Sequence, residues 1–141
     1  MLRSRAQLYS RSEGMEAFVA KKIFIVDDAD FVVEMLRVIL QEAGHTVVGS
    51  ALDGEKALEA IRALSNVSLP DIVTMDFHMP KMDGMTAISA LRSLIPGVKV
   101  VLVSAHATLP LVMKAKEAKV DAFISKPFEP QTVLEAIDKL G

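Results

Sequence analysis

The chain has 141 residues, of which 51% are hydrophobic and 24% charged, and its formal net charge is −2 at neutral pH. These values predict one soluble globular domain with a real core, and they argue against a disordered chain or a broad basic face for nucleic acid. The absence of cysteine excludes disulfides and thiolate metal sites, and no uncharged apolar run reaches the roughly 18 residues of a membrane helix, so we expect a cytoplasmic protein.

The first 20 residues differ in composition, because arginine and serine dominate up to Ser12. Three interpretations stay open: a disordered tail, an artefact of where the gene start is placed (with Met15 as the true start), or a targeting peptide. Glu13, Glu16 and the lack of a continuous apolar core weaken the last of these. We therefore take residues 1–20 as an N-terminal extension, expected to be disordered, and residues 21–141 as the folded domain.

From Lys22 onward, short apolar runs alternate with amphipathic stretches of helical spacing. Glycine and proline mark the ends of several stretches, with Gly44 expected to cap the first helix and a turn predicted around Pro80 and Asp83-Gly84. The predicted strands are Ile23–Val26, Thr46–Gly49, 71–76, Val98–Val103 and Ala122–Ile124. The predicted helices are Asp30–Ala43, Gly54–Leu64, Met85–Leu94, one that begins near Pro110 and ends near Ala118, and a last one opened by Pro130. In the first helix, helical spacing groups the apolar residues Phe31, Met35, Leu36, Ile39 and Leu40.

Five strand and helix pairs in strict alternation predict an α/β fold in which a parallel sheet has helices on both faces. Five strands suit an open, doubly wound sheet better than an eight-stranded barrel. In such sheets the ligand site lies at the carboxyl ends of the strands.

Polar residues stand at the carboxyl ends of four of the predicted strands: Asp27 and Asp28, Asp76, Ser104 and Lys126. Three neighbouring carboxylates repel one another, but they coexist in ionised form when a divalent cation and a lysine lie among them. Oxygen ligands with open positions favour Mg²⁺, which would then take up another oxygen anion such as a phosphoryl group. No glycine-rich nucleotide loop follows the first strand, so we expect the phosphoryl group to become attached to a carboxylate of the protein.

The stretches "IFIVDDAD", "DIVTMDFHMPKMDG", "VVLVSA" and "FISKPF" resemble the receiver domain of two-component response regulators, of the stand-alone CheY-like type. The resemblance extends from Lys22 to about Leu140. It implies a flavodoxin-like, doubly wound five-stranded sheet in the order 2-1-3-4-5 with five helices. It also implies a protein that accepts a phosphoryl group from a histidine kinase or a histidine phosphotransfer protein.

The resemblance assigns a role to each residue at this edge. Asp76 matches the phosphoacceptor, and Asp27 and Asp28 match the acidic pair that holds Mg²⁺, for which Mn²⁺ can substitute. His78 matches the position whose backbone carbonyl is a metal ligand. Lys126 matches the lysine that pairs first with the acceptor carboxylate and then with the phosphoryl oxygens, and its bond to Pro127 is expected to be cis.

Three further positions concern switching and phosphoryl lifetime. Ser104 matches the hydroxyl that moves toward the phosphoryl group, and Phe123 matches the aromatic switch residue; their alternatives are a plain loop hydroxyl and ordinary core packing. His78 and His106 each lie two residues beyond a site residue, where they could block or orient the hydrolytic water. The alternative is a pair of exposed loop imidazoles.

One departure from the family pattern lies before the last strand, where the family usually has a glycine and this chain has Lys119. Glycine there would end the helix with a positive φ, so we expect this helix to end differently. The fourth helix, fifth strand and last helix form the implied face for an unidentified protein target. Because the chain ends at Gly141, we expect output through protein binding, without direct contact to nucleic acid or membrane, unless the chain is a fragment of a larger protein.

Two other classes of protein remain as alternatives. One is an adaptor that uses the receiver fold without phosphorylation. The other is a phosphatase with an aspartyl nucleophile, which needs a second aspartate where His78 stands. Otherwise we expect no enzyme activity beyond phosphorylation and dephosphorylation of the protein itself.

Overall fold

The structure is a computed structural model that describes residues 18–78 and 82–140. It confirms the predicted alternation, with boundaries that shift by a few residues. The strands are β1 (Lys22–Val26), β2 (Thr46–Ala51), β3 (Ile72–Met75), β4 (Lys99–Ser104) and β5 (Ala122–Ser125). The helices are α1 (Asp30–Glu42), α2 (Gly54–Arg62), α3 (Gly84–Leu94), α4 (Leu109–Glu117) and α5 (Pro130–Asp138), with a short 3₁₀ turn at Asn66–Ser68.

The described strands form one parallel sheet in the order β2-β1-β3-β4-β5, as the family resemblance implied. Strand β1 lies between β2 and β3, so the chain adds β2 on one side of β1 and then β3, β4 and β5 on the other. Among the described residues, no helix is both long enough and apolar enough to cross a bilayer.

Alternate residues of each strand point to opposite faces of the sheet, and the core is therefore divided in two. On one face, Ile23 and Ile25 of β1 pack against the buried sides of α1 and α5. On the other, Phe24 and Val26 pack against α2 and α3, while a small cluster under α4 centres on Leu102.

Helix α1 buries only part of the apolar set that its spacing groups together. Phe31 and Met35 were predicted to share the apolar face with Leu36, but their exposed fractions are 69% and 44%. The helix is apolar on most of its circumference, and the sheet takes the side that carries Val32, Leu36 and Leu40. Its other apolar side lies at the surface.

Helices α1 and α4 end with the same hydrogen-bond pattern. At the end of α1, Gly44 has φ 101° and the N–H of the next residue donates to the carbonyl of Leu40. At the end of α4, Lys119 has φ 55° and the N–H of Val120 donates to the carbonyl of Ala115. The expectation that α4 ends differently is therefore wrong, because a lysine adopts the left-handed conformation that glycine usually supplies.

Candidate functional site

Main-chain hydrogen bonds extend the sheet into the site and fix the backbone of the two acidic positions. The N–H of Asp27 donates to the carbonyl of Ala51 at 3.1 Å, and the N–H of Asp76 donates to that of Val26 at 3.2 Å. Both aspartates thus continue the ladder by one residue past the ends of β1 and β3. The predicted convergence of strand ends follows directly from this register.

Lys126 lies between the two buried carboxylates. Its Nζ is 2.8 Å from Oδ2 of Asp27 and 3.1 Å from Oδ2 of Asp76, and its backbone N–H donates to the carbonyl of Ser104 at 2.9 Å. Its peptide bond to Pro127 is cis, as expected. One ammonium group therefore bridges two carboxylates that are 1% and 6% exposed as residues.

Each buried carboxylate also accepts a hydrogen bond from the backbone two residues further on. Oδ1 of Asp27 accepts from the N–H of Ala29, and Oδ1 of Asp76 accepts from the N–H of His78, both at 2.9 Å. These bonds hold one oxygen of each carboxylate against the backbone. They also leave the second oxygen of each group facing Lys126.

Burial and charge act against each other at this site. Burial raises the pKa of Asp27 above its ordinary value, although the hydrogen bond from Lys126 opposes the rise. Burial works to lower the pKa of Lys126, but the hydrogen bond and charge of Asp27, with the charge of Asp76, outweigh it and raise that pKa. The lysine is thus held as a cation, while the buried aspartate ionises less readily than a hydrated one.

The acidic cluster has the donor set of a hard divalent cation. Asp27, Asp28 and Asp76 each offer a carboxylate oxygen, and these oxygens lie within 4.8 Å of one another. Three ionised carboxylates beside one ammonium leave two negative charges, and Asp28 is exposed, so water has access. The residues therefore fit a magnesium-type ion with oxygen ligands, whereas thiolate-seeking metals have no ligand here.

Ser104 and Phe123 lie on the neighbouring strands β4 and β5, which precede and follow α4. Ser104 is fully buried at the end of β4, and its Oγ accepts a hydrogen bond from the N–H of His106 at 3.2 Å. Phe123 on β5 is half-buried and packs against the cluster under α4, which includes Leu111. Ser104 therefore borders the acidic site through its contact with Lys126, and Phe123 lies beneath α4.

The two site histidines contact each other. The ring centroids of His78 and His106 are 5.2 Å apart and the rings are nearly perpendicular, at 88°. Both residues are exposed. The sequence placed each beside a site residue, but nothing in the spacing indicated that the rings meet.

Helix α3 begins with a side-chain cap at Asp83. The carboxylate of Asp83 accepts from the N–H of Thr86 at 3.0 Å, and these hydrogen bonds from Thr86 lower the pKa of Asp83. The next residue is Gly84, where an added Cβ would lie 2.1 Å from Cδ1 of Phe77. This glycine therefore lets the Phe77 ring pack directly after Asp76, while residues 79–81, which include the predicted turn proline, lie outside the described residues.

An apolar groove of about 260 Å³ opens beside Lys126. It is lined by Phe31 and Met35 of α1, by Ala105 after β4, and by Phe128 after the cis proline. The sequence analysis did not predict this groove, because helical spacing grouped Phe31 and Met35 with Leu36 and Leu40, which are buried. The signal that was available was the apolar character of α1 on more sides than one core can cover.

Known proteins share both this sequence and this architecture. The family model described as the response regulator receiver domain matches residues 23–138. The chemotaxis protein CheY of Thermotoga maritima is 40% identical over 123 residues, which cover 87% of this chain and 99% of that protein. CheY of Bacillus subtilis is 40% identical over 121 residues, covering 86% of this chain and 98% of that protein.

Solved structures agree with this relationship. A CheY-like receiver domain protein from Methanospirillum hungatei has a TM-score of 0.75 at 28% identity, with coverage of 86% of this chain and 94% of that one. CheY in the CheX–CheY–BeF3–Mg complex of Borrelia burgdorferi has a TM-score of 0.76 at 32% identity, with 84% and 87% covered. The chain therefore belongs to the response regulator receiver domain family.

Proposed function

We propose that the protein is a single-domain response regulator in which Asp76 accepts a phosphoryl group and the gain in charge switches a partner-binding face. Membership of the family is consistent with two-component signalling, and receiver domains generally bind a divalent metal at their acidic pocket. The observation that supports the proposal most directly is the position of Lys126, within 3.1 Å of the carboxylates of both Asp27 and Asp76. A bridging ammonium beside a carboxylate nucleophile is the arrangement that phosphoryl transfer needs.

The proposed reaction begins with a phosphohistidine on a sensor kinase or a histidine phosphotransfer protein. A carboxylate oxygen of Asp76 attacks phosphorus in line, the phosphorus–nitrogen bond breaks, and its electron pair stays on the donor imidazole. Lys126 neutralises charge on the transferred oxygens, and the N–H of His78 orients the Asp76 carboxylate. The carboxylates of Asp27, Asp28 and Asp76, with the backbone carbonyl of His78, would hold Mg²⁺, or Mn²⁺ in its place. When bound, this ion supplies further neutralisation of phosphoryl charge.

The acyl phosphate carries about two negative charges where the carboxylate carried one. In the proposed switch, the Lys126 ammonium pairs with the phosphoryl oxygens. The Ser104 hydroxyl rotates to donate a hydrogen bond to them and gives up the hydrogen bond that it accepts from the N–H of His106. The Phe123 ring, which packs against the cluster under α4, then moves into the space that the segment 105–108 leaves. Movement of this kind shifts a population between two states of the face formed by α4, β5 and α5.

The groove beside Lys126 supports the same function, since it offers a phosphohistidine donor an apolar contact next to the acceptor. Phe31 and Met35 are exposed and line this groove together with Lys126. We expect the donor protein to cover this side of α1. The downstream protein would instead bind the face formed by α4, β5 and α5, where exposed apolar side chains include Leu109 and Met113. We propose no direct contact with nucleic acid or membrane, and a cytoplasmic location.

Phosphorylation by a small donor tests the proposal. Wild type incubated with acetyl phosphate and Mg²⁺ should gain the mass of one phosphoryl group, Asp76→Asn should gain none, and Asp28→Asn should gain it slowly. Lys126→Met should also take up phosphoryl groups slowly, since the ammonium would be missing from the transition state. A wild type that gains no mass, or an Asp76→Asn variant that gains as much as wild type, contradicts the proposal and favours the adaptor without phosphorylation.

The same assay tests the remaining alternatives. We propose that the protein catalyses only its own phosphorylation and dephosphorylation. Hydrolysis of a free phosphate ester at a rate above that of its own dephosphorylation would favour a phosphatase. The contact between His78 and His106 supports a role for both rings in shielding the acyl phosphate from water. In the double variant His78→Ala with His106→Ala, the phosphoryl lifetime should change, and an unchanged lifetime would leave the rings as surface side chains.

A further inference from the structure

The two ends of α4 are held very differently. Residues 105–110, which lead into the helix, are all exposed, and Leu109 has an exposed fraction of 71%. Within the helix, only Leu111 and Ala115 are buried. The beginning of α4 therefore has few contacts that resist its movement.

The other end of α4 closes in a hydrogen-bonded turn. The N–H of Lys119 donates to the carbonyl of Lys116 at 3.0 Å, and the N–H of Val120 donates to the carbonyl of Ala115 at 3.1 Å. Lys119 takes a φ of 55°, which a side chain with a Cβ disfavours. Contacts from outside the helix can therefore offset a conformational cost at this turn.

Arg92 of α3 provides such contacts. Its guanidinium donates to the carbonyl of Ala118 and, at 2.6 Å, to the carbonyl of Lys119. A cation at the carboxyl end of a helix also faces the negative end of the helix dipole. The group is only 30% exposed, so these charge-assisted bonds are partly shielded from water.

The same guanidinium ties the turn to the sheet. It lies 3.6 Å from the carboxylate of Asp121, which in turn accepts a hydrogen bond from the N–H of Val100 on β4 at 2.8 Å. Arg92 thereby joins α3, the end of α4 and the beginning of β5 in one set of contacts. No comparable set of contacts reaches the beginning of α4 in the part of the chain that the structure describes.

We infer that Arg92 is a positioning residue that anchors the carboxyl end of α4, so that switching at the phosphorylation site displaces only the loop 105–108 and the first turns of the helix. The trigger for this movement rests on the proposed function, whereas the anchor does not. A partner that distinguishes the two states would then contact the amino-terminal half of α4, where Leu109, Val112 and Met113 are exposed. The carboxyl-terminal half would present the same surface in both states.

Hydrogen–deuterium exchange followed by mass spectrometry tests the anchor without any phosphodonor. In Arg92→Met, which keeps the aliphatic stem but removes the donors, amides from Lys119 to Asp121 should exchange roughly tenfold faster than in wild type. Arg62→Met, on the exposed end of α2, is the matched control and should leave these amides unchanged. Equal exchange in wild type and Arg92→Met overturns the anchor, whether or not the protein is phosphorylated.

Hydrogen–deuterium exchange with and without acetyl phosphate and Mg²⁺ then tests whether the movement is confined to the loop 105–108 and the first turns of α4. In wild type, the change caused by phosphorylation should stop before Lys114; in Arg92→Met it should extend to Asp121. In the double variant Arg92→Met with Lys119→Gly, glycine removes the strain of the positive φ and restores stability, but the hydrogen bonds from Arg92 are still missing. The change in exchange caused by phosphorylation should therefore still extend to Asp121. Changes along the whole helix in wild type, or a confined change in the double variant, overturn the inference. Absence of phosphoryl uptake, seen as no gain in mass, would instead count against the proposed function.

Discussion

Replacing Asp27 by asparagine should stabilise the protein when no metal is present. The Asp27 carboxylate is 1% exposed and its pKa is raised chiefly by burial, so its ionised form opposes folding at neutral pH. Asparagine keeps an oxygen that accepts from the N–H of Ala29 and loses only the charge. Lys126 would retain Asp76 at 3.1 Å as its partner.

The magnitude follows from three opposing terms. With an effective dielectric constant of about 20, the attraction of Lys126 at 2.8 Å contributes about 6 kcal/mol in favour of the charge. Repulsion from Asp76, whose oxygen lies within 4.8 Å, opposes it by about 3 kcal/mol, and burial of the carboxylate costs several kcal/mol more. The raised pKa shows that the two unfavourable terms together are larger. We therefore expect Asp27→Asn to increase the free energy of unfolding by about 1–2 kcal/mol, because a buried charge that is only partly compensated is replaced by a neutral group.

The pH dependence has a definite sign. An acid whose pKa is higher in the folded state binds more protons when folded, so its contribution to stability increases as the pH falls through that pKa and is lost above it. The difference between the variant and wild type should thus be largest at neutral pH and should decrease toward about pH 4. Urea unfolding followed by circular dichroism, in chelator and at several pH values, measures this difference.

Magnesium should reverse the order of stability. An ion that binds only the folded state stabilises it in proportion to its affinity, and Asp27→Asn would remove one of the ligands. Asp28→Asn is the control, since Asp28 is exposed and its removal should alter stability in chelator far less while also weakening the response to Mg²⁺. A variant Asp27→Asn that is less stable than wild type in chelator at neutral pH would refute the electrostatic reasoning.

Three further substitutions should change stability in predictable directions, each measured by urea unfolding. Gly84→Ala should cost about 1–3 kcal/mol, because its Cβ would lie 2.1 Å from a ring carbon of Phe77, whereas Gly97→Ala, with no atom within 4 Å, should change stability by less than about 1 kcal/mol. Lys119→Gly should stabilise by up to about 1 kcal/mol, since glycine adopts φ 55° without strain, and a destabilised variant would show that the lysine side chain contributes more than its backbone costs. Asp83→Asn should destabilise at neutral pH, because the pKa of Asp83 is lowered in the folded state; the loss should disappear as the pH falls through that pKa, and a constant loss would contradict the assignment.

The elements and the acidic site were predictable because both depend on local patterns. An apolar run followed by a polar residue defines a strand and its end, and parallel strands bring their carboxyl ends to one edge. Asp27, Asp76 and Lys126 lie together for that reason, as predicted. The spacing could also identify Gly44 as the cap of α1, since its conformation depends on its own residue type.

What the sequence could not supply were contacts between residues that no pattern connects. Arg92 reaches the carbonyl of Lys119 across 27 positions, and no periodicity indicates that contact. Because this contact was not foreseen, Lys119 was expected to change how α4 ends. The turn nevertheless forms, with Arg92 of α3 bonded to it. The exposure of Phe31 and Met35 was missed for a related reason: a helix with apolar residues on several sides does not reveal which side the sheet covers.

The way the charges are held suggests where a structural response to phosphorylation can occur. Asp27 and Asp76 are fixed by sheet hydrogen bonds at 3.1 and 3.2 Å and by buried strands on both sides, so added charge cannot be relieved by separating them. Lys126 already contacts both groups and has little room to approach further. Beyond Ser104, by contrast, the segment 105–108 is exposed, and the helix that follows it buries few side chains. The response to new charge should therefore pass through this segment into α4, because it is the part of the surroundings that costs least to move.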